Sequence, residues 1–309
     1  MKNWFYMIVN NFFGFKNLLK YSIPLNLRKC KYQKVENITI TSKKVYEQFF
    51  KFTFHPMSRP RLLLLSSSVV HGYGFLEYAA ADINTFLNKN RVSTVLFIPY
   101  AAVDHDAYLA KVSPTFSKWG YQVEGIHKDD PIEAVKRAEA IFIGGGNTFL
   151  LLKTMHDLNL IRVIRQRVLD DGVPYIGSSA GTNVSAPAIH NTNDMPIVFP
   201  SSFEALNLIP FNINPHYVDS DPNSTHKGET REERILQYHS LPSRYPVYNV
   251  LALREGSTLY VDGQNAILKG INKARLFLRG KAPQEIDVGT DLSQLFAYTL
   301  KSELQSMQL

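Results

Sequence analysis

Thiols are nearly absent from this chain: among 309 residues there is one cysteine, Cys30. A single thiol rules out an intramolecular disulfide, a thiol–metal cluster and, beyond residue 56, a cysteine nucleophile. The lack of disulfides fits a reducing compartment, and the cytoplasm is the expected location. Long apolar runs are missing too. No stretch reaches the about 18 consecutive apolar residues of a membrane helix, so no membrane span is expected. Acidic residues are scarce in one place only. Residues 1–56 hold ten Lys/Arg against two Asp/Glu, and residues 57–309 hold 24 against 25. The net charge of +7 therefore belongs to the N-terminal segment, and a nucleic-acid-binding core is not supported. The glycine-rich run 144–147 lacks the G-K-[ST] ending of a Walker A loop and is not G-x-G-x-x-G, so neither a nucleotide nor a dinucleotide is read there.

What is present divides at about residue 56. The first 56 residues are rich in Asn, Lys and Phe and show no clear periodicity, which reads as a basic, poorly ordered extension. An organelle presequence is the less favoured reading, and Met57 is an alternative start. Residues 57–309 read as a single α/β domain. "RLLLLSSS" (61–68), "STVLFIPYA" (93–101), "YQVEGIH" (121–127), "AIFIGGGN" (140–147) and "PYIG" (174–177) are short apolar runs of the buried parallel type. Helical sequence lies between them, near 74–89, 105–118, 131–138 with Pro131 at its start, and 148–170. This alternation predicts βαβ units and a mostly parallel sheet flanked by helices. Four later runs, from "VYNVLALRE" to "ARLFLRG", predict antiparallel strands extending the same domain, with a hairpin at "VDGQN". The last residues, about 290–309, are expected to form a terminal helix or a tail.

The chemistry concentrates at strand ends, where ligands of such sheets bind. Gly177-Ser178-Ser179-Ala180-Gly181 follows a strand and opens a small-residue stretch. That is the form of a nucleophile elbow, with glycines where the backbone is crowded and Ser179 as nucleophile. The Gly144-Gly145-Gly146-Asn147 run is a second turn at a strand end, and the N–H groups of Gly146 and Ala180 are candidate oxyanion donors. A serine needs a base and the base a carboxylate. Among the eight histidines beyond residue 56, His216 in "FNINPHY" stands out, because an apolar run there meets Pro215. Asp194, in the polar loop "HNTNDMPIV", and Glu255, at the strand end "LALREGS", compete for the third position. Thr230 and Glu233 predict a capping box at the start of a helix in which Arg231 is a candidate partner for an anionic substrate group. No metal site and no cofactor are expected.

Taken together and in order, "RLLLLSSS", "FIPYA", "IFIGGGNTF", "YIGSSAGTN", "TNDMPIV", "INPHY", "HKGETREERI" and the "REG" turn resemble peptidase E, the alpha-aspartyl dipeptidase family of serine peptidases (S51), over roughly residues 61–270. The resemblance implies a flavodoxin-like, class I glutamine amidotransferase-like fold. It implies hydrolysis of Asp-Xaa dipeptides without a cofactor, by a monomer or homodimer. It places the nucleophile on Ser179, the base on His216, the third member on either Asp194 or Glu255, and aspartate recognition on Arg231. Ser178 departs from the Trp of a bacterial member, a change expected to fall on the pocket wall, and the family lacks the N-terminal extension. The rival readings are a cyanophycinase-like hydrolase acting on larger aspartate-containing substrates, an esterase sharing G-x-S-x-G, and a non-catalytic homologue that keeps the pocket.

Overall fold

The alternating leucines of Arg61–Leu65 (β1) show how the core is built. Leu62 and Leu64 point into one buried cluster, Leu63 and Leu65 into another, and all four are fully buried. A strand covered on both faces needs apolar residues at every position, which is why the run is continuous rather than alternating. The computed structural model describes residues 60–296, apart from 224, 226, 227, 243 and 246. The readings made on residues 1–56, on Met57 and on the segment after 296 lie outside the described residues.

β1 pairs in parallel with Tyr175–Ser178 (β5), β5 with Ala140–Ile143 (β4), β4 with Thr94–Ile98 (β2), and β2 with Gln122–Gly125 (β3). The helices Ala80–Lys89 (α1), His105–Lys118 (α2), Pro131–Arg137 (α3), Thr148–Asp157 (α4) and Leu160–Leu169 (α5) lie between these strands in sequence. α1 and α2 bury Phe86 and Phe116 on one face of the sheet, and α4 and α5 bury Met155 and Ile164 on the other. Among the described residues no helix is long and apolar enough to cross a membrane.

The expected α/β fold is borne out, with two differences in detail. The helical stretch 148–170 is two helices, because Asn159 sits in the left-handed region at φ 56°. Asn tolerates that conformation better than most residues, and the reversal lets both helices lay apolar faces on one core. The C-terminal strands, expected to be antiparallel, divide between two sheets and include one parallel pair. Ser257–Asp262 (β8) and Asn265–Gly270 (β9) add antiparallel to β1, giving the order β3-β2-β4-β5-β1-β8-β9. A two-residue turn at Gly263 and Gln264 joins them, as expected of "VDGQN". Asn212–Tyr217 (β6), Val250–Arg254 (β7), Ala274–Phe277 (β10) and Gln284–Ile286 (β11) form a second sheet, β11-β10-β7-β6, in which β6 and β7 run parallel. Strand propensity carries no information about such pairing, which tertiary context decides.

Candidate active site

β5 delivers Ser179 into the short helix Ala180–Asn183 (α6) through a strained residue, Ser179 at φ 54° and ψ −112°. Such a conformation costs about 1–3 kcal/mol and persists only when its surroundings over-determine it. Here the carbonyl of Leu65 accepts from Ser179 N–H at 3.1 Å and from Thr182 Oγ1 at 2.6 Å, and Tyr175 Oη donates to Gly181 O at 2.6 Å. Gly181 is required by contact: a Cβ there would fall 2.1 Å from Ile143 O. The elbow leaves Ser179 half-buried and turns Ser178 fully inward, where its hydroxyl bonds Ser68 Oγ at 2.7 Å. The substitution at Ser178 therefore does not form an exposed pocket wall. The strand's alternation sends that side chain beneath the site.

His216 reaches the serine from the second sheet. β6 is irregular between Asn214 and Tyr217, and His216 itself lies at φ 52°. Its N–H donates to Ser66 Oγ at 2.9 Å, and Ser66 in turn donates to Leu253 O on β7 at 2.8 Å. Asn193 Nδ2 holds the carbonyl of Pro215 at 2.7 Å. The ring then spans two partners, with Nε2 at 2.9 Å from Ser179 Oγ and Nδ1 at 2.9 Å from Glu255 Oε1. A carboxylate can only accept, so the matching tautomer carries its proton on Nδ1 and leaves the Nε2 lone pair for the serine hydroxyl. Glu255 stands at the turn after β7, where its carbonyl accepts from Asn272 Nδ2 at 2.6 Å. The His216 and Glu255 side chains are 39% and 52% exposed. A contact so open to water adds little stability, so its consequence is orientation of the ring.

Asp194 is placed elsewhere. Its Oδ2 accepts from the N–H of Thr148, the first residue of α4, at 2.7 Å. Asn147 caps the same helix and donates from Nδ2 to Met195 O at 2.9 Å. The loop 192–195 is thus fastened to the glycine turn that precedes α4. That turn abuts the elbow: a methyl built on Gly145 would lie 2.9 Å from Ser179 Cβ. Gly146, at φ 134°, has room for no side chain, since its Cβ would meet Ala101 O at 2.3 Å. Ala180 opens α6 directly after the serine.

Arg231 is the first residue of the helix Arg231–His239 (α7), started by the expected Thr230–Glu233 capping box. The guanidinium is half-buried and makes no hydrogen bond or ion pair among the described residues. Burial lowers its pKa from the ordinary arginine value, Arg234 adds to that, and Asp194 opposes it.

Of the candidate residues, Ser179, His216 and Glu255 meet in one hydrogen-bonded line, with Gly146 and Ala180 on the turns around the serine. Asp194 lies at the α4 N-terminus, within electrostatic reach of Arg231. Reading the sequence missed Ser66 and Asn193, which hold the N–H and the C=O of the single peptide unit joining Pro215 to His216. The serine run 66–68 was the available signal, but it also reads simply as the end of a strand.

Residues 62–269 match peptidase family S51. A Drosophila melanogaster protein named "Probable alpha-aspartyl dipeptidase" is 50% identical over 242 residues, covering 77% of this chain and 98% of that protein. "Peptidase E" of Streptomyces coelicolor is 49% identical over 238 residues, covering 76% and 94%. The crystal structure of a peptidase from an acI-B1 Actinobacterium shares the fold with a TM-score of 0.57 at 20% identity, over 76% of this chain and 97% of that one. The family match spans most of the chain and these relatives are matched over nearly their whole length, so the chain is a serine peptidase and belongs to peptidase family S51.

Proposed function

We propose that this peptidase hydrolyses dipeptides with an N-terminal aspartate through an acyl-enzyme. The observation that carries the reading is the line from Glu255 through His216 to Ser179, with both contacts at 2.9 Å. The half-buried Arg231 at the head of α7, without an ion-pair partner among the described residues, supports an acidic substrate. The name borne by the Drosophila relative supports the same substrate class.

In this mechanism His216 Nε2 takes the Ser179 proton as Oγ attacks the peptide carbonyl. The Gly146 and Ala180 N–H groups receive the oxyanion, and Glu255 stabilises the imidazolium and keeps its Nδ1–H oriented. His216 then protonates the leaving amine, and water resolves the acyl-enzyme by the reverse path. Arg231 pairs with the aspartate side chain of the substrate; guanidinium and carboxylate match in geometry as well as charge. The proposed catalytic domain is residues 57–309, with residues 1–56 outside it.

Asp-Leu, Glu-Leu and Leu-Leu test the substrate class. Asp-Leu should lead by about tenfold or more in kcat/KM, since a site built to pair a charge rejects its neutral analogue strongly. Equal turnover of the three would end the proposal, and faster cleavage of longer aspartate peptides would move it to the cyanophycinase-like alternative. Ser179→Ala should cost about a thousandfold or more while leaving the unfolding transition in place.

A further inference from the structure

Three site residues have chain neighbours that meet in one polar cluster. Tyr217 follows His216, Glu232 follows Arg231, and Arg254 precedes Glu255. On the face of the second sheet that carries α7, Tyr217 Oη donates to Glu232 Oε2 at 3.3 Å. Arg275 of β10 grips the same carboxylate oxygen from Nη2 at 2.9 Å. Arg254 anchors the far side, donating to both Asp219 oxygens at 2.7 Å and to both Glu285 oxygens at 2.9 Å. The side chains of Arg275 and Glu232 are only 27% and 29% exposed, so the pair is less screened than a surface ion pair.

The cluster does what the rest of α7 does not. Ile235 and Tyr238 pack the later turns of the helix onto Val250, Ala252 and Phe277. The capping box fixes where the helix begins but bonds only within its own first turn. Among the described residues, the polar contacts that tie this first turn to the sheet run through Glu232. The same Tyr217 that holds Glu232 is covalently next to the histidine, so the substrate arm and the base are referenced to one point.

We propose that Tyr217, Glu232 and Arg275 form a positioning clamp that sets the distance from Arg231 to Ser179, and with it the length of acidic side chain the enzyme accepts. The proposal rests on the reading of Arg231 as the substrate anchor. Aspartate and glutamate differ by one methylene, and an anchor on a loose first turn can shift to accommodate either. An anchor held at a fixed distance matches only one.

The test compares wild type, Glu232→Gln and Tyr217→Phe on Asp-Leu, Glu-Leu and Leu-Leu, with thermal unfolding and the rate of Ser179 labelling by a serine-directed phosphonate. Glu232→Gln keeps the shape and removes the charge, whereas Tyr217→Phe removes one hydroxyl only and is the milder change should the first variant fold poorly. The expected result is a rise of about tenfold in KM for Asp-Leu with kcat within about threefold, and a fall of about tenfold in the Asp-Leu to Glu-Leu ratio of kcat/KM in Glu232→Gln. The same changes should be smaller in Tyr217→Phe, and labelling should proceed at the wild-type rate in both. A lowered unfolding temperature with KM and the Asp-to-Glu ratio unmoved would make the cluster merely structural and overturn the clamp. So would a loss confined to kcat. A wild type that does not favour Asp-Leu over Leu-Leu would instead remove the substrate reading itself, before any variant is compared.

Discussion

Two carboxylates face different tasks in this site, and the distances separate them. Glu255 accepts from the imidazole at 2.9 Å, while Asp194 accepts from the N–H of Thr148 at 2.7 Å. In the proposed mechanism the first fixes the histidine tautomer and the second fixes the glycine turn that offers an oxyanion donor. Conservative amides should therefore behave differently. Glu255→Gln replaces an acceptor-only group with one that can also donate, which permits the wrong ring tautomer, so kcat should fall by at least about a hundredfold. Asn at position 194 can still accept from Thr148 N–H, so Asp194→Asn should stay within about tenfold of wild type. Asp194→Ala leaves that donor unmatched and should fall further. Steady-state kinetics on Asp-Leu decide the matter, and an Asp194→Asn loss as deep as that of Glu255→Gln would return Asp194 to the triad.

At the scale of elements, the elbow shows why glycine is needed next to the serine. In an open helix, Gly→Ala gains up to about 1 kcal/mol. In α6 the added Cβ of Gly181→Ala would sit 2.1 Å from Ile143 O, and backbone cannot yield as a side-chain tip can. The sign should reverse, with a loss of about 1–3 kcal/mol by urea unfolding and slower phosphonate labelling of Ser179 as α6 is pushed off β4. A stabilised, normally reactive variant would mean that this close approach does not exist. The five parallel strands and the elbow were legible from the residues because each carries its own local cause: both-face burial in Leu62–Leu65, and crowding at Gly177 and Gly181. The break at Asn159 was not, since Asn is compatible with a continuing helix and only the shared core under α4 and α5 decides against it. Nor was the division of the C-terminal strands between two sheets, or the choice between Asp194 and Glu255. Both depend on which segments meet, and Ser66 gained its part only when His216 of β6 and Leu253 of β7 met the end of β1.

Across the whole molecule, the proposed catalytic line joins two sheets, with Ser179 following a strand of the first and His216 and Glu255 in and after strands of the second, so the site depends on the second sheet keeping its packing. That packing contains a buried titrating group. His239 ends α7 at 8% exposure, and its Nε2–H donates to Tyr248 O at 3.0 Å. Burial pushes its pKa below the ordinary 6.5, and the Arg279 guanidinium adds to the effect, outweighing that hydrogen bond, which acts the other way. The unfolded chain therefore takes up the proton first as pH falls. His239 contributes its full stability above about pH 6.5 and loses it progressively below, at a slope of at most about 1.4 kcal/mol per pH unit. Lower still, Asp219 and Glu285 follow the carboxylate pattern. Hydrogen bonds from Arg254 hold both below their usual range, so their contribution is present above that range and fades as pH drops through it. Urea unfolding from pH 7.5 to 5.5 should show stability declining in wild type over the His239 window. His239→Gln offers an amide donor to Tyr248 and no titrating group, so its profile should be shallower there, the remaining slope belonging to His105 and His190, which burial also holds below the ordinary value. A variant that lost stability as steeply as wild type would place the proton uptake elsewhere. Because α7 carries Arg231 at its other end, the loosening should also appear in wild type as a rise in KM for Asp-Leu between pH 6.5 and 5.5, smaller in His239→Gln.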